Sequence, residues 1–167
     1  SGKSRYAQSL AERCAADRLY LATATDGDGA MAARIARHRA DRGEGWRTLE
    51  EPLELAAALW GEAGEGRVVL VDCVTIWLSN VMLAGRDPAG PIAELAATLA
   101  TLRGPAVLVS NEVGTGVVPP SELGRAFRDW QGRANQELAR ACGAVVLVAA
   151  GLPSLLKPAP PPDLRLR

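Results

Sequence analysis

The sequence has a single histidine, His38, so any chemistry that needs an imidazole must use that ring. It has no net charge either, with 19 basic residues against 19 acidic ones. A balanced chain exerts no long-range pull on nucleic acid or an anionic membrane, so an anion site must be local and suits a small phosphorylated ligand better than a polymer. Cysteine is scarce: Cys14, Cys73 and Cys142 are odd in number, far apart and free of CxxC or Cys/His spacing. That excludes a disulfide framework and a structural zinc site, and leaves reduced, packed thiols. No apolar run approaches the roughly 20 residues that cross a bilayer, and no signal peptide precedes the first motif. These absences predict a cytoplasmic protein with no membrane span. The chain opens without methionine on Ser1-Gly2-Lys3-Ser4, inside what reads as a motif, and we expect a strand upstream of it.

What is present is enough for one ordinary domain: 167 residues, 48% of them hydrophobic. Tyr6, Leu10 and Cys14 recur at helical spacing and predict a helix from Lys3 to about Ala16. RLYLATA, residues 18–24, reads as a short buried strand, and MAARIARHRADR, residues 31–42, as a partly exposed helix with a basic face. A helix is expected from Leu53 to about Glu62, with Pro52 tolerated near its first turn. VVLVD (68–72) and AVLVSN (106–111) are continuous apolar runs that end in polar groups, the pattern of parallel strands covered on both faces. Helices over 76–83 and 91–102 separate them. Ser121 is the expected N-cap of a long helix reaching Cys142, and AVVLVA (144–149) the last core strand. The alternation predicts a three-layer α/β fold around a mostly parallel sheet, with one domain over 1–157 and a proline-rich tail over 158–167.

Ser1-Gly2-Lys3-Ser4 matches the end of G-x-x-x-x-G-K-[ST], the loop whose backbone amides cradle phosphates. In it Lys3 would reach the β and γ phosphates and the Ser4 hydroxyl would bind magnesium. The tripeptide alone occurs often by chance. Its place at the start of a helix in an α/β pattern turns amides and dipole toward an anion. Such a loop needs an acid at the end of a neighbouring apolar strand to organise the metal, and Asp72 closes VVLVD. Glu112, just past the second run, is another carboxylate at that edge, and the residues alone leave metal binding and proton abstraction open between the two.

His38 lies four residues from both Arg34 and Arg42 and between Arg37 and Arg39, so cations converge on one helix face. Neighbouring cations lower the imidazole pKa and keep the ring neutral near pH 7, the state in which it can attack a phosphate ester. A solvated histidine in an arginine-rich helix fits the same letters.

Taken in order, SGKSRYAQ, YLATA, MAARIARHRADR with Trp46 and TLEEP after it, VDCVTIWLSN, SNEVGTGVVP and FRDWQGRANQELA resemble the bifunctional adenosylcobinamide kinase/adenosylcobinamide-phosphate guanylyltransferase family of cobalamin biosynthesis. The similarity runs from Ser1 to about Lys157. It implies a P-loop NTPase (RecA-like) fold whose first strand is missing from this chain. It also implies two activities, phosphorylation of adenosylcobinamide by ATP or GTP and transfer of GMP from GTP to the resulting phosphate. By resemblance His38 is the residue that becomes guanylylated; Lys3, from the loop chemistry, is expected to stabilise the leaving charge, and Glu112 or Asp72 to take the hydroxyl proton. Ser1, Gly2, Lys3 and Ser4, then Ala22, Thr23 and Ala24, then Arg39, Ala40, Asp41 and Arg42, and finally Glu50 and Asp72 are the implied nucleotide contacts. Ser4 and Asp72 are the implied ligands of Mg2+. Arg125, Arg128 and Arg133 are expected on a solvated face, and a homotrimer is implied. A kinase without the nucleotidyl step, or a non-catalytic nucleotide-binding module, are the alternatives.

Overall fold

The computed structural model describes residues 1–24 and 45–158. Within them the elements are α1 (Lys3–Cys14), β1 (Asp17–Ala22), β2 (Trp46–Glu50), α2 (Leu55–Glu62), β3 (Arg67–Asp72), α3 (Val74–Leu83), α4 (Ala89–Thr101), β4 (Ala106–Val109), α5 (Glu122–Ala141), β5 (Val145–Ala149) and β6 (Leu152–Lys157). The expected helix over 31–42 lies outside the described residues.

Four strands form a parallel sheet in the order β2-β1-β3-β4. Side chains alternate between faces along each strand, so the sheet sorts its residues into two cores. Leu19, Leu21, Val69 and Val71 point to one face, where they meet Leu55 and Leu59 of α2, Trp77 and Leu78 of α3, Ile92 and Leu95 of α4, and Ala134 and Leu138 of α5. Leu70 and Val109 point to the other and meet Ala7 of α1. This is the expected three-layer α/β arrangement with a mostly parallel sheet.

Helical spacing explains how each helix buries one stripe. In α3 the buried residues are Val74, Trp77, Leu78 and Val81, the i, i+3, i+4, i+7 set, and the Trp77 indole Nε1 donates to the Leu53 carbonyl at 2.9 Å. In α1 the buried pair is small, Ala7 and Ala11, so the helix axis lies close over β3 and β4. Ser121 caps α5 as expected, its hydroxyl accepting from the Gly124 amide at 3.1 Å.

Several boundaries and two strands differ from expectation. The helix expected from Leu53 starts at Leu55, because the Glu51 carboxylate accepts from the Leu53 and Glu54 amides at 2.9 and 2.8 Å and holds a turn there. Two strands went unread: β2, whose letters WRTLE hold only two apolar residues and no alternation, and β6, which contains Pro153. The largest correction concerns β5. It was expected as a core strand of the parallel sheet, yet it pairs antiparallel with β6 in a separate two-stranded sheet. Between the outer edge of β4 and the side of β5, under Tyr6 and Leu10 of α1, runs a groove of about 370 Å³. Lys157, at the end of β6, ties the hairpin to α5 by donating to the carbonyls of Ala139, Arg140 and Cys142 at 2.9, 2.9 and 2.6 Å. A cation on the last carbonyls of a helix satisfies orphan acceptors and opposes the dipole.

Candidate active site

The C-terminal ends of the parallel strands finish in register. Glu50 pairs with Ala22, Ala22 with Asp72, and Asp72 with Val109, so the four stand side by side along one edge. In a parallel pairing such partners share a face, and Val109 places theirs on the α1 side. Crevices at this edge are where open α/β sheets bind ligands.

The N-terminus of α1 reaches the same edge. Gly2 occupies its N-cap position with φ 89°, no side chain caps it, and its first turn has no acidic residue. A side chain at Gly2 would combine the strained left-handed backbone with contact to the Gly151 Cα at 3.0 Å, so only glycine fits. The helix therefore presents free amides and the positive end of its dipole without a carboxylate to cancel them. Lys3 and Ser4 are half-buried on the first turn, while Ser1 and Gly2 are exposed. Lys3 lines the groove together with Val109 and Ser110, which places its side chain beside the end of β4.

The junction after β1 is a clamp. The Thr23 hydroxyl donates to the Cys73 carbonyl at 2.8 Å and accepts from the Cys73 amide at 2.9 Å, and the Thr23 carbonyl accepts from the Asn80 amide at 2.8 Å. Ala22, Thr23 and Ala24 are all buried. Burial, helped by the Asp72 charge, pushes the Cys73 thiol above the usual cysteine range, and Lys3 pulls the other way.

Of the acids, Glu50 is exposed and Asp72 half-buried at the edge. Glu51, the neighbour of Glu50, is committed to the turn before α2. Glu112 is exposed past β4, and its Oε1 accepts from the Asn135 amide at 2.8 Å. The three arginines singled out on α5 find protein partners: Arg125 donates to the Pro119 and Pro120 carbonyls, Arg128 pairs with Asp129, and Arg133 lies 4.8 Å over the Trp130 ring. His38 and residues 39–42 fall outside the described residues. What the sequence missed is a set of neutral polar groups, Ser110, Gln131 and Asn135, that meet behind Glu112.

The profile of the family described as cobinamide kinase / cobinamide phosphate guanyltransferase matches residues 1–156. The chain belongs to that family. It is 50% identical over 163 residues to the bifunctional adenosylcobalamin biosynthesis protein CobP of Pseudomonas aeruginosa, covering 96% of this chain and 94% of the relative. Identity to the bifunctional adenosylcobalamin biosynthesis protein CobU of Escherichia coli is 39%, and to that of Salmonella typhimurium 36%; each alignment covers 91% of this chain and 92% of the relative. Among the described residues no helix is long and apolar enough to cross a membrane.

Proposed function

We propose that this member of the family phosphorylates adenosylcobinamide with ATP or GTP and then transfers GMP from GTP to the new phosphate, giving adenosylcobinamide-GDP and pyrophosphate. The observation that carries this reading is the meeting, at one sheet edge, of an uncapped helix N-terminus bearing Gly2, Lys3 and Ser4 with the in-register ends Glu50, Ala22 and Asp72. Amides and a lysine suit the phosphates of a nucleotide. Ser1 to Ser4 hold the phosphates, Ala22 to Ala24 form a backbone floor, and Glu50 and Asp72 with residues 39–42 complete the nucleotide contacts. The Ser4 hydroxyl and Asp72 carboxylate are hard oxygen donors of the kind Mg2+ takes, and the ion, when bound, supplies neutralisation of phosphate charge.

In the guanylyl step the neutral His38 imidazole attacks the α-phosphorus of GTP, the bond to the bridging oxygen breaks, and pyrophosphate leaves. Lys3 and the arginines flanking His38 balance its charge. A phosphate oxygen of the substrate then displaces the histidine from phosphorus and frees the ring. In the kinase step the substrate hydroxyl attacks the γ-phosphorus in line, the nucleoside diphosphate leaves, and Glu112 receives the hydroxyl proton. Residues 1–157 act as one domain with 158–167 as a tail, in a cytoplasmic homotrimer.

Incubation of the full-length protein with GTP labelled at the α-phosphate tests the central step. An acid-labile label on the wild type, lost in His38→Ala while phosphorylation of adenosylcobinamide persists, is the expected result. No label on the wild type would sink the guanylyl reading and leave a kinase.

A further inference from the structure

We propose that Asn135 is a positioning residue that holds the Glu112 carboxylate for the kinase step, with its own orientation locked by Ser110 and Gln131. The inference rests on the reading of Glu112 as the proton acceptor.

Glu112 is an exposed carboxylate on the loop after β4, and a free glutamate there would sample many rotamers. One contact restrains it: the Asn135 Nδ2 donates to its Oε1 at 2.8 Å. The second hydrogen of that amide goes to the Asn111 carbonyl at 3.0 Å, so side chain and loop backbone are gripped together. The Asn111 amide, in turn, donates to the Thr75 hydroxyl at the start of α3 at 2.9 Å.

The direction in which Asn135 points is decided behind it. Its Oδ1 accepts from the Ser110 hydroxyl at 2.6 Å and from the Gln131 Nε2 at 2.9 Å, and Gln131 donates to the Ser110 oxygen as well, at 2.9 Å. Two donors on Oδ1 force the amide nitrogen toward Glu112. Turning the Gln131 amide over would set its oxygen against that of Asn135, so the nitrogen stays inward. The consequence is a fully buried side chain whose Oε1 has no partner among the described residues. Buried amide oxygens are rarely left so. Among the described residues that oxygen has no partner, while the Gln131 nitrogen stays inward and keeps Asn135 aimed at the carboxylate.

The two half-reactions separate this role from a structural one, because guanylylation of His38 removes no proton from a hydroxyl. In the full-length protein, Asn135→Ala is expected to lower the kinase kcat about 10- to 100-fold, part of the 10²- to 10⁴-fold a general base supplies, with little change in KM and with His38 labelling from GTP retained. The exposed neighbour variant Gln136→Ala leaves both activities intact. If Asn135 acts through Glu112, Asn135→Ala adds nothing in a Glu112→Gln background. Parallel loss of labelling and kinase activity in Asn135→Ala, or an undiminished effect in the double variant, overturns the proposal. Wild-type kinase activity in Glu112→Gln overturns the Glu112 reading and this inference with it. Impaired Glu112→Gln beside unimpaired Asn135→Ala overturns the positioning alone.

Discussion

Two strands of this protein contain the same four letters, Val-Val-Leu-Val, at 68–71 in β3 and at 145–148 in β5. In β3 all four are buried. In β5 three are half-buried and Leu147 is 45% exposed. The difference lies in the neighbours. β3 is paired on both sides, by β1 and β4, and has helices over both faces. Among the described residues β5 pairs with β6 alone, whose Leu152, Leu155 and Leu156 are themselves more than half exposed. Hydrophobic letters supply the tendency to be buried, while the number of elements arriving from elsewhere decides how much burial is realised.

The comparison can be broken by substitution at equivalent letters. Leu70→Ala in β3 should cost about 2–5 kcal/mol, because it opens a cavity in a packed layer, whereas Leu147→Ala in β5 should cost about 1 kcal/mol or less. Urea unfolding of both variants checks this, and equal losses would mean that β5 is covered as well as β3. Next in size is Thr23→Val. It keeps the volume and leaves the Cys73 amide unpaired in the buried clamp between β1 and β3, for about 1–3 kcal/mol by the same measurement. Lys157→Met removes the charge that caps α5 from the hairpin, and should lower stability by about 0.5–2 kcal/mol, less at high salt. The smallest effect belongs to Leu155→Thr on the exposed hairpin, within about 0.5 kcal/mol of wild type. A melting temperature that fell as far as that of Leu70→Ala would show that β6 has a covering partner in solution.

The same contrast marks how far the sequence could be read. A helix with a clear 3.6-residue stripe, α5, was legible almost to its ends, because its buried face is written into local spacing. β1, β3 and β4 were legible as apolar runs, although β4 stops at Val109, where Ser110 turns toward α5. β2 and β6 were not: WRTLE and LPSLLK have too few consecutive apolar letters to stand out, and only pairing with β1 and β5 makes them strands. At the sheet edge, the positions of Gly2, Lys3 and Ser4 at a helix start and of Asp72 at a strand end were legible, because a glycine before a helix and a polar residue closing an apolar run are local signals. Glu51 and Thr23 were not, since their roles are hydrogen bonds to the turn before α2 and to a residue fifty positions away.

By itself the sequence determined the fold class, the G-K-S motif at the start of a helix, and the count of one histidine, since these follow from period, motif and composition. Its family followed from the order of its motifs. Tertiary structure alone decided which of two identical runs became the core, which acid of the Glu50-Glu51 pair was left at the sheet edge, and that an asparagine 23 residues downstream would hold Glu112. Those outcomes depend on where distant backbone comes to rest, and hydrogen bonds of that range leave no periodic trace in the chain.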